Sequence, residues 1–209
     1  IQNMTFNYVP NMNIYVTVNA NDNEGFNNIN NMKLTQWSEN GHYYLYIPEQ
    51  LSWSKTYNRA LEFKLAGQQG YLATTTSKEE LGYLVNLNST KTWVAGTRLV
   101  RADETLLNND KIEPLGSGVL KYRNNIHTSD VNVSRTHYYW ATGPESGQTI
   151  ENFMWNSGEP NQGDYFTYGW TVTDMTLSDV QRYESCVMVY ADVKTLNDYC
   201  EGNFNDDPV

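Results

Sequence analysis

Met154-Trp155-Asn156-Ser157-Gly158-Glu159-Pro160-Asn161 sets two oxygen-bearing side chains on either side of a proline. Downstream stand Glu184-Ser185-Cys186 and Leu196-Asn197-Asp198-Tyr199-Cys200. Together the three segments supply Glu159, Asn161, Glu184, Asn197 and Asp198, with a cysteine beside each of the two later groups. Carboxylates and amide carbonyls are hard oxygen donors, the set Ca2+ takes when it gathers about 6–8 oxygens. No histidine joins the cluster, and the two thiols are more useful to each other than to a metal, which argues against zinc.

Glu-Pro-Asn after Trp-x-x-Gly, then Glu-x-Cys, then Asn-Asp-x-Cys, resembles the carbohydrate-binding half of a C-type lectin domain. Upstream segments agree in type and order. Gly70-Tyr71-Leu72-Ala73-Thr74 followed by Ser77-Lys78-Glu79-Glu80 resembles the family's link from first to second helix. Trp93-Val94-Ala95-Gly96-Thr97 resembles its Trp-Ile-Gly core strand, and Tyr139-Trp140-Ala141-Thr142-Gly143-Pro144 its Trp-x-Trp-x-x-Gly segment. The resemblance spans residues 41–204. Each piece is weak alone; their shared order gives the resemblance its weight.

The resemblance implies an α+β fold of the C-type lectin-like kind: two helices, mixed antiparallel sheets and a long loop region, here with a short N-terminal β segment. It implies a cis Glu159–Pro160 bond that turns both neighbouring side chains toward one ion. Ca2+ ligation is carried over to Glu159, Asn161, Glu184, Asn197 and Asp198, the last adding its backbone carbonyl. Two coordination positions remain for adjacent sugar hydroxyls, which also bond to Glu159, Asn161, Glu184 and Asn197. In the family Glu-Pro-Asn accompanies mannose-type sugars (mannose, fucose, glucose, GlcNAc) and Gln-Pro-Asp galactose-type sugars. The implied function is calcium-dependent glycan binding by an adhesin or cell-surface recognition module, extracellular and multivalent or part of a larger chain. Its partners are glycans on a cell or host surface. Three departures stand out. Leu196 replaces the usual aromatic before Asn-Asp. The family's second disulfide is missing, its helix position falling near Leu65. The closing strand has no clear counterpart in 201–209, so the chain is expected either to continue past Val209 or to close differently.

Composition sets outer limits. The 209 residues suggest one domain, with room for a small appendage. A formal charge of −10 argues against nucleic-acid or anionic-membrane binding through bulk charge. No run of 18 apolar residues is present, so no transmembrane helix is expected and no membrane insertion. In a lectin-like setting Cys186 and Cys200 read as a disulfide, hence an oxidising compartment; the alternative is two buried thiols. The chain starts at Ile1 without a signal peptide, consistent with a mature secreted form or part of something longer.

Residues 1–40 read as short strands between Asn-rich turns: Asn13–Val18 alternates with β-branched residues, and Asn19–Gly25 is turn chemistry. This segment is expected to be a stalk or the end of a preceding β-domain, with the lectin-like domain over 41–209. Tyr43–Ile47 is an expected strand. Trp53, Tyr57, Ala60 and Leu61 share a helical face within Ser52–Leu65, with Gly67 as a stop. Ser77 and Glu80 form a capping box before a second helix through Leu84. Residues 98–136 and 162–183 are insertions relative to the compact family form. The second carries Tyr165, Phe166, Tyr168 and Trp170, which either stack on a sugar face, Trp170 foremost, or form a satellite core holding the loop.

Other chemistry is weakly supported. Asn3, Asn88 and Asn132 match the glycosylation sequon, as expected by chance in so Asn-rich a chain. His42, His127 and His137 have no nucleophile motif nearby, and Glu159 with Glu184 suits a cation better than a glycosidase pair, so no enzyme activity is expected. The alternative is a protein- or ice-binding module on the same fold without sugar binding, since fold does not fix function.

Overall fold

Hydrophobic runs and helical spacing resolve into a mixed α+β chain with two main helices and antiparallel sheets. The computed structural model describes residues 34–47, 51–65, 68–87, 91–112, 120–123, 128, 130–163, 183–190 and 192–200; for Leu65, Gln68 and Cys200 only the backbone is described. In chain order these form β1 (Leu34–Gln36), β2 (Tyr43–Leu45), α1 (Trp53–Ala60), β3 (Lys64–Leu65), β4 (Gln68–Gln69) and α2 (Lys78–Leu87). There follow β5 (Thr92–Thr97), β6 (Leu99–Arg101), β7 (Leu120–Tyr122), α3 (Val131–Arg135), β8 (Tyr139–Trp140), a 3-10 turn (Asn152–Met154), β9 (Glu184–Tyr190) and β10 (Thr195–Cys200). No described helix is long and apolar enough to cross a membrane.

The centre is a four-stranded antiparallel sheet in the order β10-β9-β5-β8. β5 and β9 are nearly continuous apolar runs because they are covered on both faces. On one side α1 and its C-cap bury Trp53, Tyr57 and Leu61. Two indole bonds pin it to the sheet region: Trp53 Nε1 donates to Val94 O (2.8 Å) and Trp93 Nε1 to Leu51 O (2.9 Å). α1 ends earlier than the helical spacing predicts. Glu62 and Phe63 N–H reach back to Arg59 O and Ala60 O, and the chain then turns into the β3–β4 pair. Gly70 packs on that turn, where a Cβ would sit 2.9 Å from Ala60 O. The expected stop, Gly67, lies outside the described residues.

α2 carries its expected cap: Ser77 Oγ accepts from Glu80 N–H at 3.1 Å. Glu80 does more than close a capping box. One carboxylate oxygen accepts from Thr76 N–H (2.7 Å) and Thr76 Oγ (3.1 Å); the other takes Tyr44 OH (2.5 Å) and Asn40 Nδ2 (2.9 Å). The buried carboxylate therefore ties β2 and the β1–β2 turn to the start of α2. The helix continues to Leu87, past the expected end at Leu84. β1 pairs with β2 in antiparallel register, Leu34 opposite Leu45. Residues 1–33, with the expected strand 13–18, lie outside the described residues.

The described residues of the 98–136 segment contribute to the core. β6 pairs with β7, and Leu99, Val100, Leu107, Ile112 and Leu120 are buried. Tyr139 anchors it: its hydroxyl donates to Leu99 O (2.6 Å) and accepts from Leu107 N–H (3.0 Å). α3 is capped by Asp130, whose carboxylate accepts from Asn132 N–H at 2.9 Å.

Gly96 marks the tightest packing in β5. A Cβ there would lie 2.6 Å from Val187 Cγ2 and 2.7 Å from Ile150 Cδ1. Both neighbours are buried side chains with little room to move. Gly96→Ala should therefore destabilise by about 1–3 kcal/mol, read from chemical denaturation. An unchanged midpoint would mean that β9 and Ile150 yield freely.

Candidate functional site

The sequence around Glu159 makes a turn, then a knot. Glu159 N–H donates to Asn156 O at 3.1 Å, closing a four-residue turn whose third residue, Gly158, has φ of 85°. A type II turn demands that conformation, which glycine adopts without cost. The segment before the turn is fixed to the free edge of β10: Trp155 bridges Leu196 in parallel, and Asn156 N–H donates to Leu196 O at 2.9 Å. Leu196, which replaces an aromatic residue of the resembled pattern, is fully buried. The Trp155 ring meets Tyr138 edge-on at 5.2 Å. The Glu159–Pro160 peptide is cis.

Beyond the proline, the next three backbone N–H groups are spent on site side chains. Asn161 N–H donates to Glu159 Oε2 (3.0 Å) and Asp198 Oδ1 (3.2 Å), and Gln162 N–H to Asp198 Oδ2 (2.8 Å). Gly163 N–H is shared between Asn161 Oδ1 and Glu184 Oε2, both at 2.8 Å. Asn197 Nδ2 stands 3.5 Å from Glu159 Oε1. All five oxygen-bearing residues singled out in the sequence thus fall into one connected cluster. They come from the 159–161 turn, the start of β9 and the middle of β10.

Several residues that hold the cluster were not singled out in the sequence. Tyr138 OH lies 2.7 Å from Asp198 Oδ2 and 2.9 Å from Glu184 O. Arg98 Nε donates to Glu184 O at 3.0 Å, and Arg135 Nε to Glu159 O at 3.0 Å. Gln162 is fully buried beneath the turn. Tyr138 directly precedes the Tyr139–Pro144 segment of the resemblance, and Gln162 directly follows the proline motif. Those positions are the only sequence signals for their roles.

Burial and like charge dominate the electrostatics. Desolvation, reinforced by the Asp198 charge, pushes the Glu159 carboxyl up to about 8. The same causes push Glu184, at the buried start of β9, up to about 9. Asn197 Oδ1 is buried without a hydrogen-bond partner. Such an acceptor is costly unless something electropositive meets it. Among the described residues no three His, Cys, Asp or Glu side chains form a ready-made metal cage. The donor set is mixed: three carboxylates and two amides. Oxygens already accepting an N–H keep a second lone pair for another partner.

Two expectations lie beyond what can be described. Trp170 and its neighbours Tyr165, Phe166 and Tyr168 are outside the described residues, as is the Cys200 side chain. The backbone register sets Tyr199 opposite Cys186 and Cys200 opposite Glu184, with an irregularity between them, so the two cysteines occupy adjacent strands. No protein-family model matches the chain, and no curated protein is similar to it at a significant level.

The raised carboxyls give a pH dependence whose sign can be stated. From the ordinary glutamate value of 4.5 up to about 8 or 9, the ion-free folded protein binds more protons than the unfolded chain. Stability from these two groups is fully present below 4.5 and is lost as pH rises through 8 and 9. Melting curves in EDTA should fall between about pH 7 and 9, above the range where His42 and His137 titrate. Glu184→Gln should flatten that slope. A slope unchanged by the substitution would assign it to other groups.

Proposed function

We propose that the chain is a calcium-dependent carbohydrate-binding module with a C-type lectin-like fold, acting at a cell surface or outside the cell on mannose-type sugars. The observation that carries this reading is the meeting of Glu159, Asn161, Glu184, Asn197 and Asp198 from three separate segments, around a buried amide oxygen that lacks a partner. Oxygen donors of this kind suit a hard divalent cation. Burial and then the Asp198 charge raise both Glu159 and Glu184, and a dication would offset that elevation by facing each carboxylate with opposite charge. For the fold, support comes from two helices flanking an antiparallel sheet whose core strand is Trp93–Thr97.

A bound Ca2+ would supply a Lewis-acidic centre able to take two adjacent sugar hydroxyls. The protein supplies the rest. Glu159 and Glu184 offer carboxylate acceptors, and Asn161 and Asn197 offer amide donors, so each hydroxyl can meet one acceptor and one donor. Arg135 and the Asp198 network hold these groups in fixed positions. The order of acid and amide around Pro160 then reads hydroxyl stereochemistry. With so small a contact, single-site affinity is weak and useful avidity comes from repeated modules or clustered glycans. A Cys186–Cys200 disulfide would fasten β9 to β10 and suits an extracellular setting.

Calcium should raise Tm and EDTA lower it, by the equivalent of about 2.7 kcal/mol when the ion stands at 100 times its Kd. Asp198→Asn, which keeps shape but removes charge, should abolish most of that response. Indifference of the wild-type melting curve to both additions would remove the ion from the reading. A glycan array run with calcium and with chelator should show binding to mannose-type glycans only with calcium. Glycan binding that survives the chelator would point to another surface, and no glycan binding in either condition to the protein- or ice-binding alternative.

Exchanging acid and amide as Glu159→Gln with Asn161→Asp keeps the net charge and the ligand oxygens. It reverses donor and acceptor toward the sugar. Calcium binding should persist while mannose-type binding drops on the order of tenfold or more, since an unpaired polar group costs about 1–3 kcal/mol. Full retention of both would mean that the glycan is held elsewhere, by the 98–136 or 162–183 segment.

A further inference from the structure

Gln162 is fully buried and has φ of 55°. That region is uncommon for residues other than glycine. Three bonds hold it there. Its N–H donates to Asp198 Oδ2 at 2.8 Å, its Oε1 accepts from Thr128 N–H at 3.2 Å, and its Nε2 stands 3.0 Å from His137 Nδ1. These contacts fix the hydrogen-bond polarity. A backbone N–H can only donate, so the amide end facing Thr128 is the oxygen. The end facing His137 is therefore the NH2, which can only donate. His137 Nδ1 must accept, which leaves the ring neutral with its proton on Nε2.

The surroundings enforce that state. His137 is buried, and the charged groups acting on it are Arg98 and Arg123, both positive. Burial and both cations disfavour a protonated ring. Protonation would also set a donor against the Gln162 NH2. Because Gln162 N–H and Asn161 N–H share the Asp198 carboxylate, any shift of Gln162 moves the turn carrying Glu159 and Asn161.

Resting on the calcium-site reading above, we propose that Gln162 and neutral His137 form a positioning pair that sets the 159–163 turn for ion and sugar binding. Neither residue touches the ion. They act through the turn, as the outer partners of metal ligands generally do, whose loss costs about ten- to hundredfold in metal affinity.

Three measurements test it on the full chain. In wild-type protein, nitrogen NMR of the histidine rings at pH 7 should show His137 Nδ1 unprotonated; a proton on Nδ1 would overturn the pair. Gln162→Gly accommodates the positive φ but removes the clamp, and its calcium affinity by calorimetry should fall about ten- to hundredfold. Gln162→Glu puts oxygens at both ends of the side chain, so His137 Nδ1 must carry a proton to face it. The His137 titration midpoint should then rise above the wild-type value, a change that a merely space-filling role would not produce. An unmoved midpoint in Gln162→Glu, or wild-type calcium affinity in the variants, would sink the pair. Should Gln162→Gly fail to fold, the wild-type ring state and the Glu variant still decide. Absence of calcium binding in wild-type protein sinks the calcium reading and this inference with it. Wild-type binding with unaffected variants sinks the inference alone.

Discussion

The Asp198 carboxylate is the interaction on which the site depends. It is 2% exposed and is approached by three donors: Tyr138 OH, Asn161 N–H and Gln162 N–H. Each belongs to a different requirement of the chain. Tyr138 leads into β8, Asn161 follows the cis proline, and Gln162 sits in the left-handed region. Leaving such donors buried and unpaired costs about 1–3 kcal/mol each. The carboxylate therefore decides where the turn lies relative to the sheet. It does so from an edge strand, whose outer side is covered by Trp155 and Asn156 rather than exposed to a second chain. Fold and site meet at this one side chain.

Concentrating acids there has an electrostatic cost, and the fold offsets part of it. Arg98 is 1% exposed, stacks over Tyr122 at 4.2 Å, and bonds Glu184 O. Its charge opposes the elevation of Glu184 without cancelling it. Nη2 of Arg98 remains buried without a partner. A cationic group behind the cluster limits carboxylate repulsion in the ion-free protein while leaving Glu159, nearer the turn, to titrate upward. Under the proposed reading a dication on the open side completes the balance, and its binding releases protons from Glu159 and Glu184.

Much of this was legible in the residues because the signals were local. The Trp93–Thr97 run, the face of Trp53, Tyr57 and Leu61, and the Ser77 cap each depend on neighbours in sequence, and each appears where its pattern predicts. The five site oxygens were legible as types and order, and they do come together. Long-range contacts were not legible. Nothing local to Leu107 or Ile112 says that they enter the core, since each sits in a polar stretch whose hydropathy resembles a loop. Gln162 reads as the first residue of an insertion, because a buried amide depends on distant partners: Thr128 and His137 lie 34 and 25 residues away. The early end of α1 was hidden for a similar reason, as the apolar spacing continues into residues that the β3–β4 pair claims instead.

The 98–136 segment looks, by sequence, like an addition to a compact form. Its contacts give it another standing. Arg98 reaches Glu184 O, Thr128 N–H holds Gln162, and Arg135 reaches the carbonyl of Glu159. These bonds meet the carbonyls of Glu159 and Glu184 and the side chain of Gln162, and none of them uses a side-chain oxygen of the five clustered residues. Without these residues Glu159 O would need another donor, Glu184 O would keep only Tyr138 OH, and the Gln162 amide oxygen would lack its Thr128 partner. The segment and the site are thus one unit. Arg98, Thr128 and Arg135 tie this segment to the start of β9 and to the 159–162 turn, while β9 and β10 provide Glu184, Asn197 and Asp198. Under the proposed reading, changes at Arg98, Thr128 or Arg135 would move the turn before any of the five oxygen-bearing residues changed, which would make this segment a second determinant of binding preference.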